Sequence, residues 1–372
     1  ISECLVGSEM CIRDRCRIKA VFYEFLGEGK DLLMKKIVAI LLSLCLLVLA
    51  AGCGGNDSKK DTPKEKTKVS LGMLRLTSSA PLFIAMDKGF FAEEGIEIEP
   101  QWFDSAHPIA VSTASSKVDV GATGITASLY NMAANGQKLG IVADKGREQK
   151  GYSSSALLVT TDNYNAGVKS LKDLKGKRIG ITQKGSTFHY MLGRMLETQG
   201  MSLNDVEIVP LSKLSAVMAA LESKQIDGCI LNEPNITKVQ KAGYGKLVVQ
   251  VGDVIPYQTS AIFYSPDFMK NKDAAVRFMR AYNKACNYYY EAAVEKKDAK
   301  KLEEVVNIVA KYVKAPAEDI KAGLPYIDKD GKLLVSDIAT QIKWYTDNKM
   351  ISGTLDAKDV ANTSFLDEAL KK

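Results

Sequence analysis

Two short segments place hydroxyl groups directly ahead of a helix: Ser78-Ser79-Ala80 before Pro81, and Gly185-Ser186-Thr187 before Phe188. A helix start presents backbone N–H groups with no partner inside the helix, and hydroxyls beside them suit an oxyanion such as a sulfonate, nitrate or carboxylate. The same side chains are also ordinary helix caps, a purely structural role. Other chemistries find less support. The two histidines, His107 and His189, stand far apart beside predicted helix starts, so no nucleophile–base–orienter order emerges. The cysteines (Cys4, Cys11, Cys16, Cys45, Cys53, Cys229 and Cys286) include no Cys-x-x-Cys or Cys/His cluster of zinc spacing. Cys229, in a predicted strand, and Cys286, on a predicted helix, read as small core residues. No metal or cofactor is expected, and binding is expected rather than catalysis.

The elements that must position these groups alternate strand and helix. Val69 to Leu76 reads as a strand, Pro81 to Gly89 as a helix started by proline and stopped by glycine, and Glu97 to Phe103 as the next strand. With 372 residues the chain exceeds one ordinary core, so two lobes are expected. An internal echo supports two related lobes: Ser116-Lys117-Val118-Asp119-Val120-Gly121 recurs as Ser223-Lys224-Gln225-Ile226-Asp227-Gly228. Strands that alternate with helices predict mainly parallel sheets. A net charge of +6, with lysines scattered along helices, describes a solvated surface and not a nucleic-acid footprint.

Ahead of the first strand, Met34-Lys35-Lys36 and the apolar run Ile37 to Ala50 read as a secretory signal, too short for a comfortable membrane span. The run ends Leu49-Ala50-Ala51-Gly52-Cys53, which resembles the bacterial lipobox. That resemblance implies cleavage before Cys53 and lipid on its thiol, and several acyl chains hold a protein on a membrane. Residues 54–68 contain nothing apolar to bury and read as a tether. Residues 1–33 read as translation upstream of the natural start. The expected organisation is therefore signal peptide 34–52, lipidated tether 53–68, first lobe 69–158, second lobe 159–258, and a return to the first lobe over 259–372.

Ala80-Pro81-Leu82-Phe83-Ile84-Ala85-Met86-Asp87-Lys88-Gly89-Phe90-Phe91 resembles the opening of ABC-importer solute-binding proteins of the nitrate/sulfonate/taurine type. Val118 to Gly124, Leu171 to Gly180, Ala219 to Gly228 and Ser364 to Leu370 are similar to later segments of that family, in the same order. The resemblance implies a type II periplasmic-binding-protein fold: two α/β lobes with mainly parallel sheets, joined by a two-strand hinge and closing on a ligand between strand ends. It implies that Ser78, Ser79 and Ala80 face Gly185, Ser186 and Thr187 across the cleft. Thr123, Gly124 and Thr126 would fill the loop after the third strand, although Thr126 also suits a cap. Trp102 would supply a flat wall or fill core, and Asp104 and Glu233 would accept from a ligand amine, with surface pairing an equal alternative for Glu233. Tyr257 would stand by the returning hinge strand. Asn232 departs from the Trp-Glu-Pro that family members often carry.

The implied partners are a small organic anion or zwitterion, permease transmembrane subunits and the membrane, for a monomer at the extracytoplasmic face. A thiamine-pyrimidine precursor is an alternative ligand. A pyrimidine-synthase-like enzyme is disfavoured, because that branch carries a cysteine-rich run and a site histidine that this chain lacks. A transcriptional sensor would need a DNA-binding segment where the lipobox stands.

Overall fold

Two aspartates show how the lobes are built. Asp119 accepts from the backbone N–H and hydroxyl of Ser70, and Asp227 accepts from the backbone N–H and guanidinium of Arg178, each across a separation of 49 residues. Each aspartate follows, by three positions, a residue at positive φ (Ser116 at 55°, Lys224 at 60°) that turns the chain out of a helix. The echo read in the sequence is thus one device used twice, bracing the start of one strand against its parallel neighbour.

The computed structural model describes residues 66–371. The signal peptide, lipobox, Cys53, most of the tether and residues 1–33 lie outside the described residues. The strands are β1 (Thr67–Met73), β2 (Ile96–Trp102), β3 (Val120–Gly124), β4 (Gly140–Glu148), β5 (Ser155–Thr160), β6 (Arg178–Ile181), β7 (Glu207–Pro210), β8 (Gly228–Asn232), β9 (Gly245–Gln250) and β10 (Tyr257–Tyr264). Helices used below are α1 (Ala80–Asp87), α2 (Ala106–Ala114), α3 (Ala127–Ala134), α4 (Thr187–Glu197), α5 (Leu214–Glu222), α6 (Asn235–Ala242), α7 (Lys272–Tyr289), α8 (Ala299–Val313), α9 (Ala317–Lys321) and α10 (Val335–Asp347).

The first sheet has the order β2-β1-β3-β10-β4 and the second β7-β6-β8-β5-β9. In each, four strands run one way and the strand that enters from the other lobe, β10 or β5, runs against them. The chain crosses between sheets twice, between β4 and β5 and between β9 and β10, so the fold is two α/β lobes on a two-strand hinge. Sheet membership puts these crossings at residues 149–154 and 251–256, a few residues ahead of the boundaries expected after 158 and 258.

Helix α1 is apolar on every side, and Ala80 to Ala85 are all buried against α7 and α8. Phe83 stacks on Tyr312 with ring centroids 4.9 Å apart. Burial of each such side chain contributes about 1.5–3 kcal/mol. Ser78 and Ser79 do not cap this helix as expected: a short 3-10 turn over Thr77–Ser79 precedes it, and the Ser79 hydroxyl donates to the Leu74 carbonyl at 3.2 Å. Cys229 and Cys286 are free and buried, and burial pushes both thiols up. A second tie joins the lobes beside the hinge: on α10, Tyr345 packs on Tyr130 and Tyr190, and Trp344 Nε1 donates to Glu197 at 2.6 Å. Among the described residues no helix is long and apolar enough to cross a membrane.

Candidate functional site

The carboxyl ends of both sheets face one another across a cavity of about 60 Å³, several times what a single water needs. The first lobe lines it with Ser78, Thr123, Gly124, Lys145, Gly146, Thr259 and Ser260. The second lobe and the hinge supply Ser154, Thr182, Ser186, Thr187, Phe188 and Asn232. Leu74, Leu76 and Leu214 close one side. None of these lining residues carries a carboxylate, and Lys145 is the one ionisable group among them.

Lys145 reaches the cavity because the β4–β10 ladder slips. Gly146 pairs with Ser260 and Asp144 with Ala261, which leaves Lys145 as the extra residue of a bulge; a second slip leaves out Thr259 on β10. Bulges redirect side chains beside functional sites, and here Lys145 and Thr259 line the cavity, while Val142, left out by a third slip, stays in the core. Lys145 is 1% exposed, and its Nζ donates to Ser78 Oγ at 2.9 Å. Burial pushes its ammonium down to about 7, with Asp144 opposing. Asp144 itself is committed elsewhere, to Gln258, to the backbone N–H groups of Gly146 and Asp328, and to Arg147 at 3.6 Å. The Thr123 hydroxyl is also buried on this wall with no partner. A buried cation beside an unsatisfied hydroxyl makes a receptor for a small anion.

The hinge is stiffened by Glu148, whose buried carboxylate accepts from the hydroxyls of Ser153, Ser154 and Ser155 and from the backbone N–H groups of Ser154 and Ser155. Burial pushes its carboxyl up and the serine hydrogen bonds pull it back. Asn232 joins this network by donating to Ser155 Oγ at 2.8 Å.

On the opposite wall Ser186 caps α4, accepting from the His189 N–H at 3.3 Å. His189 Nδ1 in turn accepts from the Gly185 N–H at 3.0 Å, which assigns the ring proton to Nε2, a buried atom with no partner. The Gly185 carbonyl accepts from Ala127 N–H at 2.9 Å, so this loop touches α3 of the other lobe. Tyr345 holds it from behind, donating to the Ser186 carbonyl at 3.2 Å. Burial, then the Lys184 charge, pushes His189 down from 6.5 to about 4. The unfolded chain therefore binds more protons than the native one between these values, and stability should fall as pH drops from 6.5 towards 4. Urea unfolding across that range should show the loss in the wild type and less of it in His189→Gln.

The structure brings Ser78, Thr123, Gly124, Ser186 and Thr187 to the cavity wall. The other expected residues lie elsewhere. Ala80 and Ser79 are buried in and before α1. Thr126 caps α3, accepting from Leu129 N–H at 3.4 Å. Gly185 makes the interlobe contact just described. Trp102 and Asp104 flank an outer recess, with the Arg75 guanidinium 3.8 Å above the tryptophan ring. Glu233 accepts from the Thr237 N–H and hydroxyl, both at 3.1 Å, and packs against Gly323. Tyr257 is buried against Tyr190 behind the cavity. Lys145, Thr182, Thr259 and Ser260 also stand on this wall and were not among the residues expected from the sequence. A charged Asp-Lys-Gly-Arg-Glu stretch continuing an apolar strand was the available signal. Asn232, read only as a lost aromatic, is on the cavity wall. Among the described residues no group of three or more His, Cys, Asp or Glu could hold a metal.

A family model described as NMT1/THI5 like matches residues 76–295. The chain belongs to the NMT1/THI5-like family. This family member is 29% identical over 352 residues to a provisionally named aliphatic sulfonates-binding protein of Bacillus subtilis (strain 168), covering 91% of this chain and 98% of that one. It is also 29% identical over 221 residues to the nitrate/nitrite binding protein NrtA of a Nostoc species, covering 54% of this chain and 49% of that one. Its fold is similar to the alkanesulfonate-binding protein SsuA of Xanthomonas axonopodis pv. citri bound to MOPS, with TM-score 0.65 and 18% identity over 80% of this chain and 98% of that one. At that identity the likeness concerns the fold: the periplasmic-binding architecture expected from the opening segment is the one observed. The relatives named here are binding proteins, not enzymes.

Proposed function

We propose that this chain is the membrane-anchored solute-binding protein of an ABC importer, taking the acidic group of a small sulfonate-like organic anion into the interlobe cavity and delivering it to the permease subunits. The observation that carries this reading is Lys145, a buried ammonium aimed into a cavity that has no carboxylate on its wall. Its hydrogen bond to Ser78 leaves donors over for a ligand. The sulfonate and nitrate names of the relatives are consistent with it. The lipobox residues ending at Cys53 support the anchor.

A pyrimidine precursor fits less well. Phe188 is the single aromatic residue on the cavity wall, and Asp104 and Glu233, the acids that would take a ring amino group, stand outside it. A taurine-like zwitterion meets the same shortage of acids next to Lys145.

Calorimetry of the lipid-free domain against methanesulfonate, taurine, nitrate, bicarbonate and an aminopyrimidine tests the ligand class. A sulfonate should bind, and a thermal shift should follow, since ligand at a hundredfold excess over Kd contributes about 2.7 kcal/mol. Binding of the aminopyrimidine alone, or of none of these, would overturn the reading. Mass spectrometry of protein from membranes tests the anchor: lipid should be found on Cys53, and Cys53→Ser should release the protein.

A further inference from the structure

The inner cavity is not the end of the cleft. Leu74, Leu76 and Leu214 line it and also line an open recess of about 230 Å³, whose further walls include Arg75, Trp102 and Asp104. These leucines form an apolar collar between the two spaces: Leu74 and Leu76 cluster with Ile109 of the first lobe, and Leu214 packs on them from the second.

Arg75 stands out among the charges on this path. Of the six described arginines it alone has no carboxylate within 4.0 Å, the others pairing with Asp144 and Asp328, Asp227, Glu197, Asp273 and Glu94. Its guanidinium lies 3.8 Å over the Trp102 ring, and Nη1 donates to the Tyr312 carbonyl. The stack and that anchor fix the plane of the fork, while Nε and Nη2 have no partner among the described residues. A preorganised guanidinium of this kind matches the two oxygens of a carboxylate. Asp104 faces the same recess but is exposed, where water screens its charge.

We infer that the ligand is bipartite: one acidic group sits at Lys145, an apolar spacer passes the three leucines, and a second acidic group meets Arg75 in the outer recess. This rests on the reading of the inner cavity as an anion site. The collar selects the spacer, because a polar group held between leucines would lose its water without gaining a partner. The fork at Arg75 selects the outer group. The substrate class is therefore an elongated organic diacid, a sulfocarboxylate or its chemical equivalent, rather than a simple alkyl anion or an inorganic one.

The test is calorimetry of the protein with alkylsulfonates of increasing length and with their ω-carboxy analogues, repeated in Arg75→Gln. At the length that spans the collar, the carboxy analogue should bind about tenfold tighter than the plain alkylsulfonate, the gain expected of one charge-assisted contact. In R75Q that ratio should fall to about one. A ratio near one at every length in the wild type, or a ratio that survives R75Q, would overturn the inference. Failure of the underlying anion site looks different: no alkylsulfonate would bind the wild type, or binding would be insensitive to Lys145→Met.

Discussion

Replacing Lys145 by methionine is expected to abolish capture of a small anion and, at the same time, to make the empty protein more stable. Loss of one partner from a buried, hydrogen-bonded charge pair costs about 2–5 kcal/mol, which is roughly thirtyfold to several thousandfold in affinity. Without ligand the same ammonium is a burden, buried and answered among the protein groups by the Ser78 hydroxyl and by the charge of a neighbouring aspartate that has other partners. An apolar side chain of similar length removes that penalty. Thermal unfolding of empty K145M at pH 7 should therefore give a higher Tm than wild type, and a lower Tm would point to a structural role instead.

The pH dependence follows from the same group. Burial pushes the Lys145 ammonium down to about 7 against an ordinary 10.5. Between those values the unfolded chain holds a proton that the native protein has lost, so this group makes the empty protein more stable as pH rises through that window. A bound anion raises the Lys145 pKa, and binding above pH 7 must then take up a proton. Affinity should decline above pH 7, by at most about tenfold per pH unit. Calorimetry in buffers of different ionisation enthalpy should report that uptake in the wild type and none in any residual binding by K145M.

Gly124→Ala is expected to weaken binding about tenfold to a hundredfold by obstructing closure, the effect of about 1–3 kcal/mol of overpacking. A Cβ on Gly124 would lie 2.6 Å from Cγ2 of Thr187, which belongs to the other lobe. The clash lies between the lobes and not within either one, so it bears on how closely they meet rather than on the packing of each lobe. Thr187→Ser removes the offending methyl and keeps the hydroxyl that lines the cavity. Affinity should return in the G124A/T187S pair, a coupling that a double-mutant cycle reads directly. Absence of rescue would show that the glycine serves another purpose. Gly185 makes a less clean test, since at φ 76° a side chain is strained by the backbone itself, apart from any contact between the lobes.

What the sequence determined on its own was local and repetitive. Alternating strands and helices, the proline-led α1 and the Asp119 and Asp227 echoes specify two related lobes, because each rests on contacts within one βα unit or between adjacent parallel strands. The hydroxyl loops at Ser78 and at Ser186–Thr187 were legible for the same reason: a strand end, a loop and a helix start are neighbours in the chain.

The tertiary structure alone decided which side chains meet in the cleft. Lys145 points inward only because β4 and β10, more than a hundred residues apart in sequence, pair with a bulge. Strand patterning by twos cannot register such a slip, since one extra residue reverses every side chain beyond it. Trp102 and Asp104 sit at a strand's carboxyl end as expected, yet the leucine collar separates them from the inner cavity. Tyr257 turns into the aromatic core formed with α10, and Glu233 turns back to Thr237 on α6 and packs on Gly323 just after α9. Each of these outcomes depends on packing between elements distant in sequence, where side-chain volume and burial, rather than local propensity, select the contact.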